Sequence, residues 1–63
     1  MNLTRRQLQV LEMMSTGATA TEIADQLNIK ANTVRTHIRA IFETLGVSRQ
    51  TEAVARALRD HLI

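Results

Sequence analysis

Polar side chains recur every three or four residues between Asn32 and Arg39, and two of them are arginines. The stretch from Lys30 to Ile41 holds three basic residues and no acidic residue. A guanidinium presents five N–H donors in a planar fork, which matches the paired acceptors on a guanine edge and the oxygens of a phosphate. Such a concentration of positive charge indicates an anionic, acceptor-rich partner, as a nucleic acid is.

These side chains need a helix to hold them on one face. Taking Val34 as zero at 100° per residue, the apolar positions within about 40° are Ile38, Ile41 and Leu45. The polar positions at roughly 100–200° are Asn32, Arg35, Thr36 and Arg39. The pattern therefore predicts a helix over about 31–45 with an apolar stripe on one side and a basic, polar face on the other.

Two capping-box patterns mark the starts of earlier helices. Thr4 is followed three residues later by Gln7, and Thr19 is followed at the same spacing by Glu22. In a capping box each of the two residues satisfies a free backbone amide of the other. These patterns predict helices over about 5–16 and 20–27.

Helix ends are marked by residues that adopt the left-handed conformation at low cost. Such residues follow the first three predicted helices as Gly17, Asn28 and Gly46. A fourth amphipathic segment begins near Ser48 and runs to about His61, and we expect Val54 and Leu58 to face inward there. The short break between helices two and three is typical of a helix-turn-helix.

Length and composition exclude several classes of protein. Sixty-three residues suffice for one domain (1–63), predicted to be an all-α four-helix bundle. With no cysteine and two widely spaced histidines, we expect no disulfide, metal site or cofactor. No catalytic constellation is present, so an enzyme is not expected. Apolar runs are too short for a membrane span or a signal peptide, which favours a cytoplasmic protein.

The pattern as a whole resembles the LuxR-type (GerE-like) helix-turn-helix domain of bacterial quorum-sensing regulators and two-component response regulators. The residues that carry the resemblance are Leu3-Thr4, Leu11, Gly17, Glu22-Ile23-Ala24, Leu27, Ile29, Thr33-Val34-Arg35, His37, Leu45-Gly46-Val47 and Ala53. The resemblance implies double-stranded DNA as partner and helix three as the recognition helix in the major groove. It places the base-contacting positions at Arg35, Thr36 and Arg39, which are also outward-facing by periodicity.

Phosphate contacts are expected beside the base-reading positions. The candidates are Lys30, Asn32, Thr33, His37 and Arg49. For three of these a second role is open: Thr33 closes the helix start, which fits equally well, His37 packs at the edge of the apolar face, or Arg49 is an ordinary solvated charge. Lys30 replaces the small hydroxyl residue that usually caps helix three in this family. Two alternatives are open: Asn32 caps a slightly later helix start, or a phosphate contact by Lys30 offsets the lost cap.

Two further departures from the family pattern occur together. Gln7 replaces a common glutamate and Gln50 replaces a common arginine, so we expect the two amides to lie close in space and to share a hydrogen bond. Ala40 also replaces a common asparagine.

Helix four is expected to form a homodimer on DNA. The expected interface residues are Val54, Ala57, Leu58 and His61, with the shallow patch near Ala57 and His61 meeting the second copy. RNA polymerase is a further candidate partner. Two alternatives stay open at this point: a small helical protein–protein interaction or dimerisation module that does not read DNA, and a sigma-factor region with the same motif.

Overall fold

The computed structural model describes residues 2–63 as four α-helices. They are α1 (Arg5–Ser15), α2 (Ala20–Leu27), α3 (Ala31–Leu45) and α4 (Gln50–Arg59). No strand occurs within this range, so the predicted all-α class is confirmed. The bounds of α2 and α3 agree with the prediction, whereas α1 ends one residue early and α4 is two residues shorter at each end.

Both predicted capping boxes are present. The Thr4 hydroxyl accepts a hydrogen bond from the Gln7 backbone amide at 3.1 Å, and the Thr4 amide donates to Gln7 Oε1 at 2.9 Å. Thr19 and Glu22 exchange the same two bonds at 3.2 and 2.8 Å. Each box satisfies two of the amides that a helix start otherwise leaves free, which fixes where α1 and α2 begin.

All four helices end in the same way. A residue with positive φ follows each helix, and these residues are Gly17 (89°), Asn28 (57°), Gly46 (69°) and His61 (57°). The next residue then donates its amide to the carbonyl five positions back, for example Ile29 to Ala24 at 3.0 Å and Leu62 to Ala57 at 2.8 Å. This is the Schellman arrangement, which satisfies free carbonyls and turns the following apolar side chain back toward the core.

The core draws on every helix. Its buried residues are Val10, Leu11 and Met14 of α1, Ile23 and Ala24 of α2, Val34, Ile41 and Leu45 of α3, and Ala53 and Ala57 of α4. No polar or charged side chain is buried within residues 2–63. Ile38 is half-buried and packs against this cluster, so the predicted apolar stripe of α3 is confirmed.

Helices α1 and α3 occupy the middle of the bundle. Helix α3 contacts all three other helices, and α1 does so as well, whereas α2 and α4 do not touch each other. Helix α2 therefore lies on one side of the central pair and α4 on the other. The break between α2 and α3 passes through Asn28 and Ile29, and Ile29 packs against the core as expected.

The predicted rotation of α4 about its axis was wrong. Ala57 is fully buried, and Leu58, which we expected to face inward, is 57% exposed. His61 lies beyond the helix at positive φ and is exposed. Ala53 and Ala57 are the fully buried residues of α4, which packs against α1 and α3, and with this side buried Leu58 faces away from the core.

The expected hydrogen bond between Gln7 and Gln50 is also absent from the described residues. Gln7 uses its side-chain oxygen for the α1 cap, and Gln50 lines a groove beside Met14 and Gly17 at the other end of α1. Their closeness in space stays a prediction.

Substitutions at two helix ends should change stability in opposite directions. No atom lies within 4 Å of a Cβ added at Gly46, so Gly46→Ala should lower the free energy of unfolding by about 1 kcal/mol through its left-handed backbone alone. His61→Gly relieves the same strain and should raise the stability by about 0.5–1 kcal/mol, or a few degrees in Tm. Asn28→Gly is the matched control, with a smaller gain because asparagine tolerates this conformation. Equal Tm values for all variants in thermal unfolding would contradict this account.

Acidification should weaken the α2 cap and leave the α1 cap intact. The hydrogen bonds from the Thr19 backbone and side chain hold the pKa of Glu22 below its ordinary value. A lowered pKa gives stability that is present above the unfolded pKa, about 4.3, and is lost as pH falls through the folded pKa. Glu22→Gln should remove this part of the pH dependence, and Gln7→Glu should add a similar part at α1. Unfolding followed by circular dichroism from pH 6 to 3 tests both, and an unchanged pH profile for Glu22→Gln would refute the assignment.

Candidate nucleic-acid interface

The outer face of α3 carries the predicted base-reading side chains. Arg35, Thr36 and Arg39 are all exposed, whereas Val34 and Ile41 on the opposite side are fully buried. Because the buried stripe fixes the rotation of the helix, the exposed face is presented in a defined orientation.

Asn32 makes two hydrogen bonds on this face. Its side-chain Oδ1 accepts from Arg35 Nη1 at 3.0 Å, and its backbone carbonyl accepts from the Thr36 hydroxyl at 3.0 Å. The Thr36 hydroxyl thereby donates its single hydrogen within the helix, so toward a base it offers only acceptor lone pairs and a methyl group. Four of the five N–H donors of Arg35 remain available. The Asn32–Arg35 contact was not predicted from the sequence, although residues at i and i+3 on one helix face are close enough to interact.

The start of α3 lacks the cap found on α1 and α2. Lys30 has extended backbone at the N-cap position and makes no side-chain capping hydrogen bond. The Thr33 amide donates to the Lys30 carbonyl at 3.0 Å, but the other first-turn amides and the positive end of the helix dipole have a cationic N-cap residue instead of a side-chain acceptor. An anion bound here would satisfy both, so this helix start suits a phosphate.

The remaining phosphate candidates are spread over two helix starts. Thr33 is exposed in the first turn of α3, and Arg49 is exposed at the N-cap position of α4, which also lacks a side-chain cap. His37 is half-buried at the edge of the apolar stripe. The structure thus gives solvent access to all five phosphate candidates, with His37 the least accessible.

Ion pairs do not neutralise this face. Within residues 2–63 the ion pairs are Arg56–Asp60 at 3.5 Å and Arg59–Asp60 at 4.0 Å, both at the end of α4. The basic side chains of α3 are therefore available to an external anion, whereas Arg56 and Arg59 already have an internal acidic partner. The Arg56 Nε is shielded from solvent and is close to Asp60 without the alignment of a hydrogen bond.

The outward face of α4 forms an uncharged groove of about 530 Å³ against the end of α1. Its lining residues are Met14, Ser15, Gly17, Gln50, Thr51, Val54, Ala55 and Leu58. None of these carries a charge, and Leu58 is the large apolar side chain left exposed in the described chain. Of the expected interface residues, Val54 and Leu58 line this groove. Thr51 and Ala55 also line the groove and were not among the expected residues, because the helix was assigned the wrong rotation.

Among the described residues no group of three or more histidine, cysteine or acidic side chains is arranged to hold a metal ion. The same part of the chain has no helix long and apolar enough to cross a membrane.

A short break between two helices, the second of which exposes arginines, defines a helix-turn-helix domain. The chain matches the family model described as "Bacterial regulatory proteins, luxR family" (GerE) over residues 1–57. The chain therefore belongs to the luxR family, and it is a DNA-binding domain of the kind found in bacterial transcription regulators and response regulators.

Relatives of this domain differ widely in total length. The chain is 42% identical over 57 residues to the HTH-type transcriptional regulator MalT of Yersinia pestis (strain Pestoides F), covering 90% of this chain and 6% of MalT. It is 42% identical over 62 residues to the transcriptional regulatory protein LiaR of Bacillus subtilis (strain 168), covering 98% of this chain and 29% of LiaR. The chain thus spans less than a third of either relative.

Two solved structures share the fold closely. The response regulator ChrA of a heme-sensing two-component system superposes with a TM-score of 0.95 at 32% identity, covering 100% of this chain and 31% of ChrA. The transcription factor GerE superposes with a TM-score of 0.89 at 32% identity, covering 95% of this chain and 90% of GerE. The four-helix arrangement is therefore that of this family.

Proposed function

We propose that this domain binds specific DNA sequences by placing α3 in the major groove. The observation that carries the proposal is the two-sided character of α3, with Arg35 and Arg39 exposed opposite the buried Val34 and Ile41. A major groove about 12 Å wide admits an α-helix, and helix-turn-helix proteins use the second helix of the motif in this way.

The exposed side chains suit guanine better than the other bases. Arg35 and Arg39 offer N–H donors, which pair with O6 and N7 of guanine, and a good bidentate contact discriminates by about 1–3 kcal/mol. Thr36 offers a methyl group to thymine or an oxygen acceptor to an amino group. The reading face is therefore rich in donors and poor in acceptors.

Backbone contacts hold the helix in register. We assign them to Lys30 and Thr33 at the start of α3, to Arg49 at the start of α4, and to Asn32 and His37 on the flanks of the reading face. Contacts of this kind position a protein on DNA without reading sequence, and they make affinity dependent on salt.

The domain pairs with a second copy through α4. The patch centres on Leu58 and includes the exposed parts of Thr51, Val54 and Ala55, with exposed His61 at its edge. In a two-fold dimer a patch meets itself, so a patch without charge avoids like-charge repulsion in a chain of net charge +2. The patch is small for a stable interface, so DNA supplies the remaining affinity by holding two copies on half-sites about 34 Å apart. Ala57 takes no part, because it is fully buried within the monomer.

Because the proposed target is chromosomal DNA, we propose that the domain acts in the cytoplasm. A domain bound there lies near RNA polymerase, which is the second partner we propose. RNA polymerase would then contact the surfaces of the domain that stay exposed when α3 lies in the major groove.

Substitutions in α3 should separate base reading from phosphate binding. Arg39→Ala should relax base preference at one position of the site and weaken binding to the preferred duplex by about 1–3 kcal/mol. Lys30→Ala should weaken binding to all duplexes alike and reduce the slope of log affinity against log salt by about one. Selection of bound sequences from random duplexes, followed by salt titrations, measures both effects.

Gln9→Ala is a matched control for that experiment, because it truncates an exposed side chain on α1. Equal selection of sequences by the wild type and by an Arg35→Ala/Arg39→Ala variant would exclude a recognition helix. An interaction module that does not read DNA would give that result together with a flat salt dependence.

Leu58→Glu should abolish cooperative binding to paired half-sites and leave binding to a single half-site unchanged. Leu58 is exposed, so the charge will not unfold the monomer, but it will place two carboxylates together at the two-fold contact. Gel-shift titrations with one and two half-sites measure the cooperativity, and Gln9→Glu controls for added charge. Undiminished cooperativity in Leu58→Glu would place the dimer contact elsewhere.

A further inference from the structure

The hydrogen bond between Asn32 and Arg35 joins two exposed side chains on the proposed reading face. Asn32 Oδ1 accepts from Arg35 Nη1 at 3.0 Å, and the two residues lie one helical turn apart. Arg35 has no acidic partner among residues 2–63, so this amide oxygen is the group that restrains its guanidinium. We propose that Asn32 is a positioning residue that holds Arg35 ready for guanine and thereby sets base selectivity. The inference rests on the proposed role of α3 in reading DNA.

The physical argument is one of preorganisation. A free arginine side chain loses rotamer entropy when it is fixed against a base, and immobilising such a side chain typically costs about 0.5–1.5 kcal/mol. Because Asn32 already restrains Arg35 in the free protein, part of this rotamer entropy is lost on folding and is not lost again on binding DNA. The restraint helps only a complex in which Arg35 must be fixed, so it favours guanine over bases that do not engage the guanidinium.

Arg35 can contact guanine while its guanidinium stays hydrogen-bonded to Asn32. One hydrogen of Nη1 is directed at Asn32, which leaves the second Nη1 hydrogen, both Nη2 hydrogens and the Nε hydrogen. A bidentate contact to O6 and N7 needs two of these. The Asn32 amide nitrogen also stays available for a phosphate, so positioning and backbone contact are compatible in one side chain.

A selectivity ratio separates these two roles. Two duplexes are compared. The first is the duplex selected by the wild type, and the second replaces one guanine of it, the one that Arg35→Ala no longer distinguishes, with 7-deazaguanine. This base pairs normally but lacks the N7 acceptor. The ratio of the two Kd values cancels any effect that is equal for both duplexes, including loss of a phosphate contact.

We expect Asn32→Ala to lower this ratio at least about twofold. Asn32→Asp keeps the acceptor, so it should preserve the ratio while weakening both duplexes through repulsion from phosphate. In an Arg35→Ala background, Asn32→Ala should leave the ratio unchanged, because a residue acting through Arg35 has nothing left to position.

Equal weakening of both duplexes by Asn32→Ala, with the ratio intact, would overturn the positioning role and leave the proposed function standing. A wild-type ratio of one at every guanine would overturn base reading by Arg35 and with it the inference. Thermal unfolding of each variant shows whether α3 stays folded; Asn32 is exposed in the first turn, so we expect Tm changes of no more than a few degrees.

Discussion

Helix α3 packs against every other helix, and its buried side chains Val34, Ile41 and Leu45 are the contacts on which the rest of the structure depends. The described residues 2–63 form one core cluster and hold no disulfide, so nothing among them compensates for loss of these contacts. Close packing also fixes the rotation of the helix, since side chains in a dense core have few alternative arrangements. The same stripe that stabilises the fold therefore decides which residues of α3 reach solvent. Stability and the presentation of Arg35 and Arg39 cannot be separated in this domain.

The helix starts divide into two kinds with different consequences. Helices α1 and α2 begin with complete capping boxes, and each box satisfies two backbone amides at its helix start. Helices α3 and α4 begin at Lys30 and Arg49 without side-chain caps. A missing cap costs typically about 1 kcal/mol, and a cation beside a helix N-terminus adds to that cost. Both uncapped helix starts carry a basic side chain. A phosphate bound at either start would therefore offset the free energy lost through the missing cap.

The contacts on α3 show how a helix surface is organised before any ligand binds. Asn32 accepts hydrogen bonds from both Arg35 and Thr36, which removes one donor from each and leaves a face dominated by the remaining arginine donors. On α4, the alanines form the side that is buried against α1 and α3, and Leu58 is exposed as a result. The two functional surfaces that we propose thus depend on which side of each helix is buried, and single hydrogen bonds on α3 set which donors stay available.

The sequence by itself determined the features that depend on residues within about five positions of one another. Capping pairs at Thr4 and Thr19, left-handed residues such as Asn28, and the apolar stripe of α3 are all local, so the first three helices and the exposed arginines could be predicted. The rotation of α4 could not, because the Ala53–Ala57 row and the Val54–Leu58 row have the same spacing and either could face inward. Only packing against α1 and α3 decided between them, and it buries the alanine row while leaving Leu58 exposed. The positive φ of His61, just beyond α4, was not predicted either, because histidine has only a weak local preference for this backbone; after it Leu62 packs against the core.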